Sequence, residues 1–499
     1  MSKPLVTKHT LIPPPIDGLN LISSPATIKI SEARVLDNYL VYDSGIRQVG
    51  APTLNYTGSA GPELGCMVPY FDDAGAEHAL VCTDQAVFRW DSPTASSGTD
   101  ITGGATINYG HWNSFLFNKR NFLFNGFNTP LVHDRGAGNV SAFSATGPTV
   151  TTLRQGTSYK HRMYLCQADT TIFWYGAVDA YSGVFTSYDL GTVFQKSGNL
   201  LCAFNWTFNQ GLSSEEFLCF LSFSGELLIF SGDYPTSSNW GLVARALVPA
   251  YYAAATHEDH FQPFIKTAND VYLITTLGML SLSSIIAAGT AGQTYYSKSR
   301  NIKNQITSLV SPALTGRAPF LFVVSSNKKD IYCFNYELSA WSKMVISSVI
   351  GSTLPLIESI AIFGDYLMVG TQYPKLYNIP ISVAAGASTS LTYKWKTPFF
   401  DFGDAYQKNA KQLEVIGTNV DAAGNFVNTV SISADYTDPT TASTDSATTA
   451  VAANVTARQI LAPPGTGRAL SYVFSRSGIA NEQNEIQGLA IFFETGGVL

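Results

Sequence analysis

The sequence predicts an all-β protein: a β-propeller of six or seven blades with an extended N-terminal arm and a C-terminal β-sandwich. Three observations carry that prediction. A short unit of aromatics two apart, a polar turn and a second strand recurs from about residue 64 to residue 380, clearest between Ile331 and Trp341. Small antiparallel units repeated in series are the mark of a propeller. Tyr and Phe number 25 and 30 in 499 residues, and such side chains fit a pleated, half-buried surface. Charged residues make up only 13% of the chain, which leaves a polar, weakly charged surface suited to large permanent contacts.

Residues 1–56 carry no repeat unit and read as a docking arm. Pro13 to Asn20 opens with an extended polyproline piece and a turn, and Ser31 to Tyr39 has apolar positions three apart, which predicts a brief helical or turn segment. Asp43 to Gly50 follows as a turn and a short strand.

Residues 57–385 hold seven windows, beginning near residues 64, 107, 158, 199, 262, 318 and 357, at roughly the spacing of a four-stranded blade. Looser copies of the unit surround Phe88 and Trp90, Leu227 to Asp233, Val271 to Gly278 and Tyr366 to Gly370. Two windows are long, and the surplus at 241–261 and 285–317 predicts insertions on a face of the disc.

Residues 386–499 change texture. Lys394 to Gly403, Lys411 to Gly417, Val430 to Asp435, Ala469 to Arg476 and Ile486 to Phe493 alternate in the half-buried β manner, which predicts the sandwich. Thr437 to Thr456 has no apolar period and reads as a long exposed loop or hairpin tip.

The formal net charge is −6, with no run of Lys and Arg longer than a pair, so tight wrapping of nucleic acid is excluded. Cys66, Cys82, Cys166, Cys202, Cys219 and Cys333 lie far apart, most of them inside apolar runs, and read as reduced core residues. The start of the chain lacks the apolar run of a signal peptide, and no stretch of about 18 apolar residues occurs. The expectation is a soluble chain made in a cytoplasm, with no membrane insertion.

His257, Glu258, Asp259 and His260 form the one dense group of ligand-type residues, but the two histidines are not spaced as in HExxH. They read as an exposed turn. GxSxG, a P-loop and a GxGxxG after a strand are all missing, so no catalytic, cofactor-binding or metal-binding residue is assigned and the chain is expected not to be an enzyme. Carboxylates paired in space are invisible to sequence, which keeps a carbohydrate-binding or glycan-degrading propeller, a depolymerase or receptor binder, as the alternative.

The phrases Leu11 to Asn20, Ala33 to Leu40 and Gly45 to Gly50 resemble the start of a virion family of short-tailed bacteriophages, the tail accessory or packaged-DNA stabilisation proteins related to tail tubular nozzle proteins. Gly126 to Asp134, Asp270 to Leu282, and Thr397 to Gly403 followed by Lys411 to Gly417 are similar to later phrases of that family. The resemblance implies a tail nozzle subunit in a ring of six copies below the portal and adaptor. It would contact the adaptor and distal fibre, tailspike or needle proteins and retain the genome until ejection. Double-stranded DNA would pass through the lumen without tight binding, as the low density of basic residues allows. The implied location is the virion tail, after synthesis in the host bacterial cytoplasm. The family has no catalytic residues to carry over, and 499 residues is short beside the large tubular nozzle proteins.

Overall fold

The computed structural model describes residues 7–24, 26–57, 63–209, 214–249, 263–292, 297–306, 313–325, 327–346, 356–381, 390–403, 406–419, 424–435, 444–451, 456–462, 465–479 and 484–495. Inner strands of successive antiparallel sheets begin at Leu64, Asn113, Leu153, Leu200, Phe264, Leu314 and Ile357, close to the seven windows read from the sequence. We number these blades 1 to 7 in chain order. Among the described residues blade 5 has three strands, Phe264–Lys266, Val271–Thr275 and Gly278–Ser281, and each of the others has four. Middle strands such as Phe320–Val324 and Ile331–Asn335 are buried at every position, because neighbouring blades cover both of their faces. The outermost strand of blade 4, Gly241–Leu247, leaves Leu242 and Val243 exposed.

Ring closure uses chain from before blade 1. Strand Thr53–Thr57 pairs antiparallel with Lys375–Pro380 and supplies the outermost strand of blade 7. Met67, Val81 and Trp90 of blade 1 then pack against Phe363, Met368 and Leu376 of blade 7. Closure of this kind buries the faces of blades 1 and 7 against each other and leaves only the short outer strand of each blade as an edge.

Beside the short blade 5 the chain makes a helix, Leu282–Gly292, which the β periodicity did not predict. Leu282 and Ile285 bury one side of it among residues of blades 4 and 5. Further along, the Lys298 amide donates to the Met279 carbonyl at 2.8 Å and the Met279 amide donates to Ser299 Oγ at 2.9 Å, so this segment lies along the open side of the blade.

The N-terminal segment is not an arm. From Thr7 onward it is woven into both halves of the molecule. Strand Val35–Asp37 pairs in parallel with the outer strand of blade 6, Ala340–Met344, and antiparallel with Ser390–Lys396 of the sandwich. Thr7–Ile12 and Ile46–Gln48 pair with Asn484–Thr495 in the opposite sheet. The expected helix or turn over 31–39 is instead Glu32–Ala33, Val35–Asp37 and Tyr39–Val41, three short strands. The apolar spacing misled because Asn38, at φ 66, kinks the chain and resets which face is buried.

Gly18 and Asn20 explain the start of this path. Gly18 has φ +76, and a Cβ on it would lie 2.4 Å from the Trp341 amide nitrogen, so only glycine lets the segment lie against blade 6. Asn20 Oδ1 accepts the Ile22 and Ser23 amides while its Nδ2 donates to Glu32 Oε2 at 3.0 Å.

Residues 390–495 form a sandwich whose two sheets meet through alternating residues: Tyr393, Trp395, Tyr472 and Phe474 on one side, Leu413, Val415, Ile491 and Phe493 on the other. Trp395 and Phe474 stack at 5.0 Å. This core is continuous with that of blade 6, so propeller and sandwich are one packed body. The segment 437–456, expected as a long exposed loop or hairpin tip, contains a strand, Thr444–Val451, paired antiparallel with Gly424–Ala434. A Thr-rich polar sequence supplies β propensity without an apolar period.

Candidate functional site

In a blade whose strands run antiparallel, the start of the inner strand and the turn between the second and third strands lie at the same end. Four polar side chains therefore converge where blade 7 meets blades 1 and 2. Glu63 precedes the inner strand of blade 1, His111 precedes that of blade 2, Glu358 is the second residue of that of blade 7, and Lys328 lies in the second turn of blade 6. One ligand-type atom each of Glu63, His111 and Glu358 lies within 4.8 Å of the others. His111 Nε2 is 3.6 Å from Glu63 Oε2, and Lys328 Nζ is 2.6 Å from Glu358 Oε2.

The Glu63 carboxyl is held below the usual carboxylate range, first by a hydrogen bond from His111 and against the opposing effect of burial. Its proton is lost early, so Glu63 has the wrong tuning for a general acid. Glu358 is neutralised by Lys328. Glu63, His111 and Glu358 offer one nitrogen and two carboxylate donors, a set suited to a divalent cation, but Lys328 already holds one of the carboxylates. The arrangement works as an ion-pair network locking the closure seam.

A second group lies at the other end of blades 1 and 2. His78 Nδ1 is 2.9 Å from Asp91 Oδ1 and its Nε2 is 3.3 Å from Asp72 Oδ2, which leaves neither nitrogen open as a base. The Tyr70 ring packs between those of His78 and His133, at 5.4 and 5.1 Å. His133 is fully buried, and desolvation pulls its imidazole down to about 4. Its Nδ1 accepts the Arg135 amide at 3.3 Å. No Ser or Cys oxygen or sulfur is hydrogen-bonded to either histidine among the described residues, so the group lacks a nucleophile.

The third feature is a cavity of about 380 Å³ on the propeller axis. Its wall includes Ser114 of blade 2, Thr157 of blade 3, Lys266 of blade 5 and Thr315 of blade 6. Blades on opposite sides of a ring share a cavity only at the centre. Lys266 donates to Asn205 Oδ1, and Asn205 Nδ2 donates to Glu216 Oε1 at 2.9 Å. Desolvation pulls the Lys266 ammonium down to about 8, while the nearby Glu216 carboxylate acts the other way.

His257, Glu258, Asp259 and His260 lie outside the described residues. The cysteines are free thiols, and all but the half-buried Cys66 are buried. Burial pushes those of Cys166, Cys219 and Cys333 far up. Sequence reading missed all three polar groups, since Glu63 and Glu358 stand at opposite ends of the repeat and no spacing links them.

No family model matches the chain, and no curated protein matches it. Solved structures similar to it include the computationally designed Ika8 protein, at 8% identity, covering 66% of this chain and 99% of that one, with a TM-score of 0.37. BamB from Moraxella catarrhalis shows 12% identity over 69% of this chain and 94% of its own, TM-score 0.34. A catalytically inactive virginiamycin B lyase from Staphylococcus aureus, with Quinupristin, shows 11% identity over 66% and 98%, TM-score 0.39. The protein is a β-propeller with an appended sandwich, as its own sheet order shows. Among the described residues no helix is long and apolar enough to cross a membrane.

Proposed function

We propose that the chain is a structural virion protein of a short-tailed bacteriophage, a tail nozzle subunit that joins a ring and extends the DNA channel below the portal and adaptor. The observation that carries this reading is the path of the N-terminal segment. Leu36 and Asn38, in phrases that resemble the nozzle family, sit at the junction of propeller and sandwich and tie them into one body, while Gly18 of the first phrase lets the same segment lie against blade 6. A wall segment that contains pressurised DNA needs stiffness between its parts, and a shared core with β-sheet continuous across the junction supplies it. The weakly charged, net acidic composition suits a conduit through which phosphates slide.

The carbohydrate-active reading gains nothing from the carboxylates at the closure seam. Glycoside hydrolysis needs one carboxyl kept protonated, whereas Glu63 is shifted down and Glu358 is paired with Lys328. The test is assembly. Purified full-length chain, mixed with the portal and adaptor encoded in the same genome, is expected to co-sediment as a ring on the adaptor. A chain that stays free of that complex and instead cleaves or retains a bacterial surface glycan would overturn the proposal.

A further inference from the structure

We infer that the axial cavity of the propeller binds a small oxyanion, of the sulfate, phosphate or carboxylate class, against the Lys266 ammonium. The inference does not depend on the proposed function.

Lys266 is the charged residue in the cavity wall; Ser114, Leu116, Gln155, Thr157 and Thr315 around it are neutral. Its side chain is exposed to the open space of the cavity, whose wall is built from blades 2, 3, 5 and 6. Among the described residues no carboxylate lies within 4.0 Å of its ammonium, unlike Lys328, Lys343 and Lys411, each of which meets an acid. An exposed ammonium without a close counter-charge, standing among the low-dielectric walls of a cleft, concentrates its field there and draws anions to it. The geometry prepares for one. Asn205 Oδ1 accepts one hydrogen bond from the ammonium and fixes the head of the side chain, and two of the three donors of an ammonium remain.

Ser114 and Thr315 add hydroxyls on the wall from blades 2 and 6, and hydroxyls donate readily to oxyanions. Gln155 does not compete, because its amide is committed to the backbone of Gly156 and Ala203. A cavity of about 380 Å³ admits an ion of this size with its waters. Glu216 stands behind Asn205, and Cys219 on the same strand is a buried thiol. With one carboxylate behind it, the site suits a small, singly or doubly charged ion rather than a polyanion.

The experiment titrates the full-length chain with sodium sulfate, at fixed ionic strength, by isothermal calorimetry, because sulfate keeps its charge from pH 6 to 10. Wild type is expected to bind one sulfate per chain at pH 7. Affinity should fall about tenfold at pH 9, where only about a tenth of an amine titrating near 8 stays charged. Lys266→Met should abolish that site. Lys266→Arg, which stays charged across the range, should bind with no such pH dependence. In parallel, lysine-selective NMR of wild type should show the Lys266 titration moving to higher pH on adding sulfate. One-site binding unchanged in Lys266→Met, or a Lys266 titration indifferent to sulfate, would overturn the inference, as would the lack of any stoichiometric site.

Discussion

Replacing Asn38 with Ala should loosen the whole molecule at its junction. Asn38 is buried, sits at φ 66, and bonds both halves: its Nδ2 donates to the Thr392 carbonyl of the sandwich at 2.7 Å, and its Oδ1 accepts the Val345 amide just beyond blade 6 at 2.8 Å. Alanine leaves that carbonyl and that amide without partners, at about 1 to 3 kcal/mol each. It also puts a Cβ into the left-handed region, which costs roughly 1 kcal/mol. The sum is about 3 to 7 kcal/mol. Asn38→Gly keeps the first loss and escapes the second, so it should be about 1 kcal/mol milder. The assay is urea unfolding followed both by far-ultraviolet circular dichroism and by Trp fluorescence. Wild type should unfold in one transition, because the two halves share a core, whereas Asn38→Ala should unfold at lower urea and split into two. A change below about 0.5 kcal/mol with a single transition retained would refute the argument, since that is the scale of an ordinary surface substitution.

Gly18→Ala should cost more than about 2 kcal/mol, because the new methyl collides with the Trp341 backbone at a positive φ, and protease nicking of residues 7–24 should accelerate with it. His133 gives a pH dependence of definite sign. Its folded value of about 4 is below the ordinary 6.5, so its contribution is full above pH 6.5 and lost as pH falls towards 4. Between pH 7 and 4.5 that loss is about 2.5 kcal/mol, and the urea midpoint of wild type should fall further over that range than that of His133→Gln. Lys266 behaves in the opposite sense. Its lowered value means that Lys266→Met should be the more stable protein at pH 7, by about 1 kcal/mol once solvent in the cavity is allowed for, with the gain fading between pH 8 and 10.5 in sulfate-free buffer.

The propeller was legible because each blade repeats the same physical demand. A middle strand covered on both faces must be apolar throughout, as Phe320–Val324 is, and a turn must follow it, so the inner strands fell near the seven windows. The sandwich was legible for a related reason, since Lys408–Asn419 alternates buried with less buried positions from Leu413 to Thr418. What sequence could not convey was pairing between distant strands. Thr53–Thr57 looks like any other short strand, and nothing local says that its partner is Lys375–Pro380. Val35–Asp37 likewise owes its place to Lys343 and Lys394. The polar groups were hidden for the same cause. Glu63, His111, Lys328 and Glu358 meet only because the ring closes, and Lys266 becomes unusual only once the other blades surround it.

Electron cryomicroscopy of the virion whose genome encodes this chain tests the central claim most directly. The account predicts six copies of the propeller-and-sandwich fold in a ring below the adaptor, with the junction around Asn38 ordered and density for DNA running along the ring axis. A virion tail without this fold, or copies placed singly on the outside of the particle and away from the channel, would contradict it.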